Sequence, residues 1–270
     1  MRKDANLPIG VFDSGLGGLT VVKELHRRLP NEDIIYVGDT ARVPYGTKSP
    51  ATIRRYALQI SFFLIQRRVK AIVVACNTAS ALALRALRTL PIPVIGVIDP
   101  GARAAVMGSS TLRVGVIGTK ATVNSHAYKR AIQSYAPKAK VWESACPLFV
   151  PLVEEGWTDH KVTRQVARAY LRPVLAKGVD ALVLGCTHYP LLKSTLQRVV
   201  GRDVALIDSA DETARAVQER LRKEGSLNSG GRRGRTQYFV TDNPASFSRL
   251  GGRFLGDGLP AARRLSFENL

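Results

Sequence analysis

The sequence predicts an α/β fold of two pseudo-symmetric units, each built on a mainly parallel sheet, with a cleft between them. Three observations carry that expectation. Short apolar runs alternate with helical segments along the chain, which is the pattern of a parallel sheet. The stretch from Ala71 to Arg88, AIVVACNTASALALRALR, can be laid without gaps on Ala181 to Arg198, ALVLGCTHYPLLKSTLQR, so that Val73 falls on Val183, Cys76 on Cys186 and Leu82 on Leu192. The match extends upstream, where Gly10 and Val11 in LPIGVFDSG correspond to Gly115 and Val116 in LRVGVIGTK, at similar distances before the two cysteines. Repetition on this scale implies two related units that face each other.

Taken in order, Pro8 to Phe12 reads as the first strand, and Asp13 to Gly18, DSGLGG, as a turn into a helix over Leu19 to Leu29. That turn lacks the lysine of a phosphate loop and the spacing of a dinucleotide fingerprint, so it is not read as a nucleotide site. Asp33 to Val37 is a second strand, followed by GDTARVPYG at Gly38 to Gly46, a polar loop long enough to line a pocket. Ser49 and Pro50 suit the cap and first position of a helix running to about Arg68. Ala71 to Ala75 is too short for a helix and rich in β-branched residues, as a strand buried on both faces is. Asn77 and Thr78 are good cap types for the helix that follows, which Pro91 and Pro93 stop. Val94 to Ile98 makes another strand, and Asp99-Pro100-Gly101 is the expected crossing between the units.

The second unit begins in earnest at Leu112. Its strands are expected around Val114 to Ile117, Lys140 to Trp142, Ala181 to Leu184 and Val204 to Ile207, and its helices near Val123 to Ser134, Asp159 to Ala176 and Pro190 to Val199. Pro173 should kink or shorten the helix that contains it. A helix from Asp208 to about Arg222 and a strand at Gln237 to Thr241 are expected to return to the first unit.

Composition narrows the class. A chain of 270 residues with 45% hydrophobic and 23% charged residues suits a soluble globular protein that needs no disulfide or metal to hold its core. No apolar run approaches the length of a membrane-spanning helix, and the start, MRKDANLPIG, lacks the apolar core of a signal peptide, so a cytosolic location is expected. Three cysteines cannot all pair, and a reducing compartment leaves Cys76 and Cys186 free as acids and bases. The formal charge of +19 raises the question of a nucleic-acid partner. Most of the basic residues are scattered as pairs, such as Arg27 with Arg28 and Arg67 with Arg68, which reads as solvated helix faces. Only Arg222 to Arg235, RKEGSLNSGGRRGR, is a concentrated basic loop, and polyanion binding there is the alternative.

Cys76 sits where a strand turns into a helix. At the carboxyl edge of a parallel sheet such a side chain faces a crevice, and the free N–H groups of the helix start bias a thiol towards thiolate. A lone cysteine there would more often be packed as a small apolar residue. The second copy, Cys186 at the equivalent strand end, shifts the reading towards chemistry.

Five stretches, FDSGLGGLTV at Phe12 to Val21, GDTARVPYG at Gly38 to Gly46, VVACNTASA at Val73 to Ala81, CPLFVPLVEEG at Cys146 to Gly156 and LGCTHYPLL at Leu184 to Leu192, occur in this order over nearly the whole chain. On them the sequence resembles the cofactor-independent aspartate/glutamate racemase superfamily, its glutamate-specific members in particular. The resemblance implies a first domain of residues 1–98 with 209–270, a second of residues 99–208, and a glutamate held between them. It implies Cys76 and Cys186 as the catalytic acid and base, assisted by Asp13 on the Cys76 side and His188 on the Cys186 side, with Glu154 an acidic residue near the site. Ser14, Tyr45 and Gly46 match substrate-holding positions. Asn77, Thr78 and Thr187, with the adjoining helix-start N–H groups, suit the α-carboxylate and the charge that develops as a carbanion forms.

Each of these residues also has a plainer role: Asp13 and Ser14 as helix caps, Tyr45 as turn packing, Glu154 as a solvated charge, His188 as a structural histidine. Cys146 has no repeat partner and is read as structural. No cofactor is expected, because no lysine stands in a recognisable pyridoxal site, and no metal, because Cys186-x-His188 is too sparse for zinc. The expected activity is interconversion of L- and D-glutamate for peptidoglycan synthesis, with glutamate as the partner, no membrane and a homodimer. A racemase of another small amino acid such as aspartate, and a basic nucleic-acid-binding protein on the same scaffold, are the alternatives.

Overall fold

A computed structural model describes residues 5–256 and 258–267. The repeat seen in the sequence becomes two parallel sheets. One holds β1 (Ile9–Asp13), β2 (Ile34–Gly38), β3 (Ala71–Val74) and β4 (Val94–Gly96), extended by β9 (Thr236–Val240) and β10 (Arg263–Arg264) in the order β10-β9-β2-β1-β3-β4. The other holds β5 (Arg113–Gly118), β6 (Lys140–Ala145), β7 (Ala181–Gly185) and β8 (Ala205–Asp208) in the order β6-β5-β7-β8. Within the repeat the two orders are the same. The register repeats as well, since Ile9 pairs with Ala71 where its counterpart Val114 pairs with Ala181.

This topology positions the site. In each sheet the chain leaves one central strand to one side and returns on the other, so β1 and β3, or β5 and β7, part at their carboxyl ends. Ligands bind in the crevice at such switch points. The turns that open there carry Asp13 and Cys76 in one sheet, Gly118 and Cys186 in the other. β1, β3 and β7 are buried at every position, as their Val, Ile and Leu content requires.

Helices cover the sheets. α1 (Leu19–Arg28) and α2 (Pro50–Gln66) follow the first two strands, and Ser49 caps α2 as expected, its Oγ accepting from Thr52 N at 3.2 Å. α3 (Asn77–Leu87) follows β3. Asp99-Pro100-Gly101 is not a crossing loop. It lies in the first turn of α4 (Ile98–Met107), where a proline removes an N–H that has no intrahelical partner anyway, and Ile98, Ala102 and Ala105 pack with Val114, Val116 and Val183 of the second sheet. The single helix expected over Val123 to Ser134 is two, α5 (Lys120–Asn124) and α6 (Ala127–Tyr135), broken at His126 in the left-handed region with φ of 50°.

α7 (Phe149–Glu154) was not legible as a helix in the sequence. α8 (Lys161–Leu175) carries Pro173 in its last turn, so the single helical bond it removes, to Ala169 O, lies near the helix end and the helix runs only two residues further. After β7 comes a 3₁₀ turn over Tyr189–Leu192, where a continuous helix from Pro190 was expected, and then α9 (Lys193–Val200). α10 (Ser209–Lys223) packs against both α1 and α4, and α11 (Pro244–Leu255) lies on α1 and β9.

One apolar cluster runs through both units, from Ile9 and Leu19 to Leu184 and Tyr189. The basic loop is tied down by named partners. Lys70 and Glu32 form a buried ion pair; Lys70 Nζ also donates to Ala5 O at 2.7 Å and Ser226 O at 2.9 Å, and Glu32 accepts from Asn228 N at 2.8 Å. Arg232 clasps Asp33 at 2.6 and 3.1 Å. Among the described residues no helix is long and apolar enough to cross a membrane.

Candidate active site

The first wall is built where β1 and β3 end. Cys76 is itself the cap of α3, its Sγ accepting from Ala79 N at 3.5 Å, so the expectation of Asn77 or Thr78 as the cap is corrected: both lie inside the first helical turn. The thiol also donates to Ser14 Oγ at 3.7 Å. Asp13 ends β1 wholly buried, its carboxylate accepting from Gly15 N at 3.0 Å and from Thr187 Oγ1, on the opposite unit, at 3.4 Å.

The second wall stands where β7 ends. Cys186 Sγ lies 4.0 Å from His188 Nδ1, and the other ring nitrogen, Nε2, lies 3.0 Å from Glu154 Oε1 at the end of α7. Glu154 therefore reaches the sulfur only through the imidazole. α11 closes the rear: Phe254 meets the His188 ring edge-on at 5.4 Å, and Arg253 Nη1 donates to Glu154 O at 2.6 Å. Thr20 Oγ1, on α1, donates to Thr187 O at 3.1 Å.

Three hydroxyls join the units on the other side. Thr78 Oγ1 lies 2.9 Å from Thr119 Oγ1 and 3.2 Å from Thr122 Oγ1, which are themselves 3.0 Å apart. Gly46 abuts this group, since a Cβ there would stand 3.0 Å from Thr119 Cβ. Of the residues singled out in the sequence, Ser14 thus meets Cys76, Thr187 meets Asp13 across the units, His188 links Cys186 to Glu154, and Thr78 and Gly46 meet Thr119, while Asn77 lies buried directly after Cys76. Tyr45 is the exception in its polar atom: its hydroxyl is spent on the buried Asp39, which Arg42 Nε also holds at 2.8 Å.

Thr119, Thr122 and Asp39 were missed. The repeat carried a signal for Thr119, which falls on Ser14 when Gly115 is laid on Gly10. Among the described residues no three His, Cys, Asp or Glu side chains are grouped to hold a metal.

The electrostatics of the two walls differ. Burial pushes the Cys76 thiol up to about 12, with the Asp13 charge adding to it, and the Ala79 N–H and Ser14 hydroxyl offset only part. The thiolate bias expected from the helix start is overturned: one N–H at 3.5 Å is outweighed by lost hydration and a neighbouring carboxylate. Burial also raises Asp13, against the pull of His188 and of its N–H donors. At His188 burial is the largest single influence and works against the charged form, but Cys186 and Glu154 together outweigh it and lift the imidazole to about 10. In the repeat Asp13 corresponds to Gly118 and His188 to Thr78, so the two cysteines have different titratable neighbours.

A stability consequence follows from His188. Its folded value lies above the ordinary imidazole value, so the native state binds the extra proton, and this contribution is complete below about 6.5 and lost as pH rises through about 10. Denaturant melts between pH 6.5 and 10 should show falling stability, and His188→Asn should flatten that decline; an unchanged slope in the variant would refute the charged imidazole.

A family model described as Asp/Glu/Hydantoin racemase matches residues 9–217, from β1 into α10. The chain belongs to the Asp/Glu/Hydantoin racemase family. Among racemase relatives, the glutamate racemase of Geobacter metallireducens is 57% identical over 261 residues, covering 96% of this chain and 97% of its own. The crystal structure of glutamate racemase from Thermus thermophilus in complex with β-chloro-D-alanine superposes with a TM-score of 0.91 at 52% identity, covering 99% of this chain and 100% of that one. The glutamate racemase of Francisella tularensis in complex with D-glutamate gives a TM-score of 0.91 at 42% identity, covering 98% and 100%. The α/β fold with two mainly parallel sheets is thus that of known racemases, and a racemase is an isomerase, the class of chemistry that two cysteines on opposed strand ends suit.

Proposed function

We propose that this racemase interconverts L- and D-glutamate by a two-base mechanism in which Cys76 and Cys186 are the acid and the base, working in the cytosol to supply D-glutamate for peptidoglycan. One observation carries the reading: the two cysteines follow the carboxyl ends of the equivalent strands β3 and β7 of a repeated unit, so they stand on different sheets. We assign the walls to two domains, residues 1–98 with 209–270 and residues 99–208. The glutamate specificity is supported by relatives that carry that name over nearly their whole length.

In one direction a thiolate takes the α-proton from one face while the thiol opposite gives its proton to the other face. The C–H electron pair becomes the new C–H bond, and the two cysteines end with their protonation states exchanged. In the reverse direction the roles are exchanged too. Cys76 holding its proton beside Asp13, with a charged His188 beside Cys186, is the state in which Cys76 donates. An ordinary thiol near 8.5 is a far weaker base than the carbanion it must generate, and each tenfold in rate is worth about 1.4 kcal/mol. In this reading Asn77, Thr78, Thr119, Thr122 and Thr187 would hold the α-carboxylate and offset the developing charge, which the near-complete burial of both sulfurs and the contact of Thr78 with Thr119 support.

Incubating the protein with L-glutamate in deuterated water should place deuterium at the α-position and produce D-glutamate. Unlabelled, uninverted glutamate after long incubation would refute the activity, and faster exchange of aspartate in the same panel would reassign the substrate.

A further inference from the structure

We propose that Tyr128, on α6, is a positioning residue that fixes which end of the Asn77 amide faces the substrate; this rests on the reading that Asn77 holds the substrate carboxylate. Tyr128 is wholly buried and its hydroxyl donates to Asn77 Oδ1 at 2.7 Å. The other end of that amide, Nδ2, is buried with no protein partner, in the residue that directly follows Cys76. Asn77 can thus offer two N–H groups or one carbonyl oxygen, and a phenol that donates to Oδ1 leaves the N–H groups for the substrate. A carboxylate accepts hydrogen bonds and repels an oxygen, so only the orientation that Tyr128 holds is productive.

The ring itself packs against two glycines of its own unit. A Cβ on Gly185, the residue before Cys186, would stand 3.0 Å from Tyr128 Cε2, and one on Gly101 of α4 would stand 3.3 Å from the ring. Ser209, at the start of α10, lies beside the same phenol. A single side chain of the second unit therefore bears on the residue after one cysteine and on the residue before the other. With the ring so placed, losing the hydroxyl leaves the packing intact and frees only the amide.

The experiment compares Tyr128→Phe, Asn77→Ala and the double variant, reading KM and kcat separately for both glutamate enantiomers. Tyr128→Phe is expected to raise KM about tenfold for both, the loss typical of one buried hydrogen bond, with kcat changed much less. The double variant should be no worse than Asn77→Ala alone, because the hydroxyl acts only through that amide. Tyr128→Phe with the parent's KM, or with the same penalty when Asn77 is already alanine, would overturn the proposal. So would a Tyr128→Phe protein that fails to fold, since the hydroxyl would then be structural. If Asn77→Ala itself keeps the parent's KM, the placement of the carboxylate falls and takes this inference with it.

Discussion

Alanine in place of either Cys76 or Cys186 is expected to cut racemisation in both directions by about a thousandfold or more, within the range of a lost general acid or base. In the proposed mechanism each cysteine serves one face of the α-carbon, and neither can travel around the substrate, because each follows a fully buried strand, β3 or β7. With one sulfur gone, inversion has no donor or no acceptor. The remaining cysteine can still remove a proton from its own face and return a deuteron to it. Cys76→Ala and Cys186→Ala should therefore each retain at most slow deuterium exchange into one enantiomer, and the two variants should differ in which. Mass spectrometry of each enantiomer after incubation in deuterated water reads this directly. Inversion surviving at a tenth of the parental rate in either variant would end the two-base reading, and exchange into the same enantiomer in both would put the sulfurs on one face. Cys146, buried at the start of α7 with its thiol towards Ser144 O at 3.7 Å, serves as the control, since its replacement should leave exchange intact.

Much of this was legible before any coordinates because the chain states its fold twice. The gapless match of Ala71–Arg88 with Ala181–Arg198 fixed the two cysteines to equivalent strand ends, and the observed register, Ile9 on Ala71 and Val114 on Ala181, reproduces that match residue for residue. What stayed hidden depends on contacts between segments far apart in sequence. Pro100 and Gly101 read as a breaker by local chemistry, yet they sit in α4, because the apolar face of that helix is covered by the second sheet and its first turn tolerates a proline. The thiol of Cys76 read as acidified, because the helix start is visible in the sequence while the burial and the Asp13 carboxylate beside it are not. α11 carries no site motif, yet it brings Phe254 and Arg253 back against His188 and Glu154, far earlier in the chain.

Gly17→Ala should be among the most damaging single methyl additions in the protein while leaving the fold standing. Gly17 lies in the turn between β1 and α1, and its backbone is outside the left-handed region that favours glycine, so alanine is not excluded by conformation. Space excludes it. A Cβ at Gly17 would fall inside contact distance of Thr187 Oγ1 and only 2.6 Å from His188 Nδ1. Both atoms belong to the opposite wall: Thr187 Oγ1 donates to Asp13, and His188 Nδ1 faces the Cys186 sulfur. To admit the methyl the two walls must part, or Thr187 and His188 must turn away, and either movement displaces Cys186 and its assistant from the substrate. A misplacement of about an ångström at reacting groups costs about a hundredfold in rate. The expected result is a fall of about a hundredfold in kcat/KM for both enantiomers with a melting temperature within a few degrees of the parent. Parental kcat/KM in a well-folded Gly17→Ala protein would mean that the walls need not approach this closely for the chemistry, and that the contact of the DSGLGG turn with Thr187 and His188 plays no part in it.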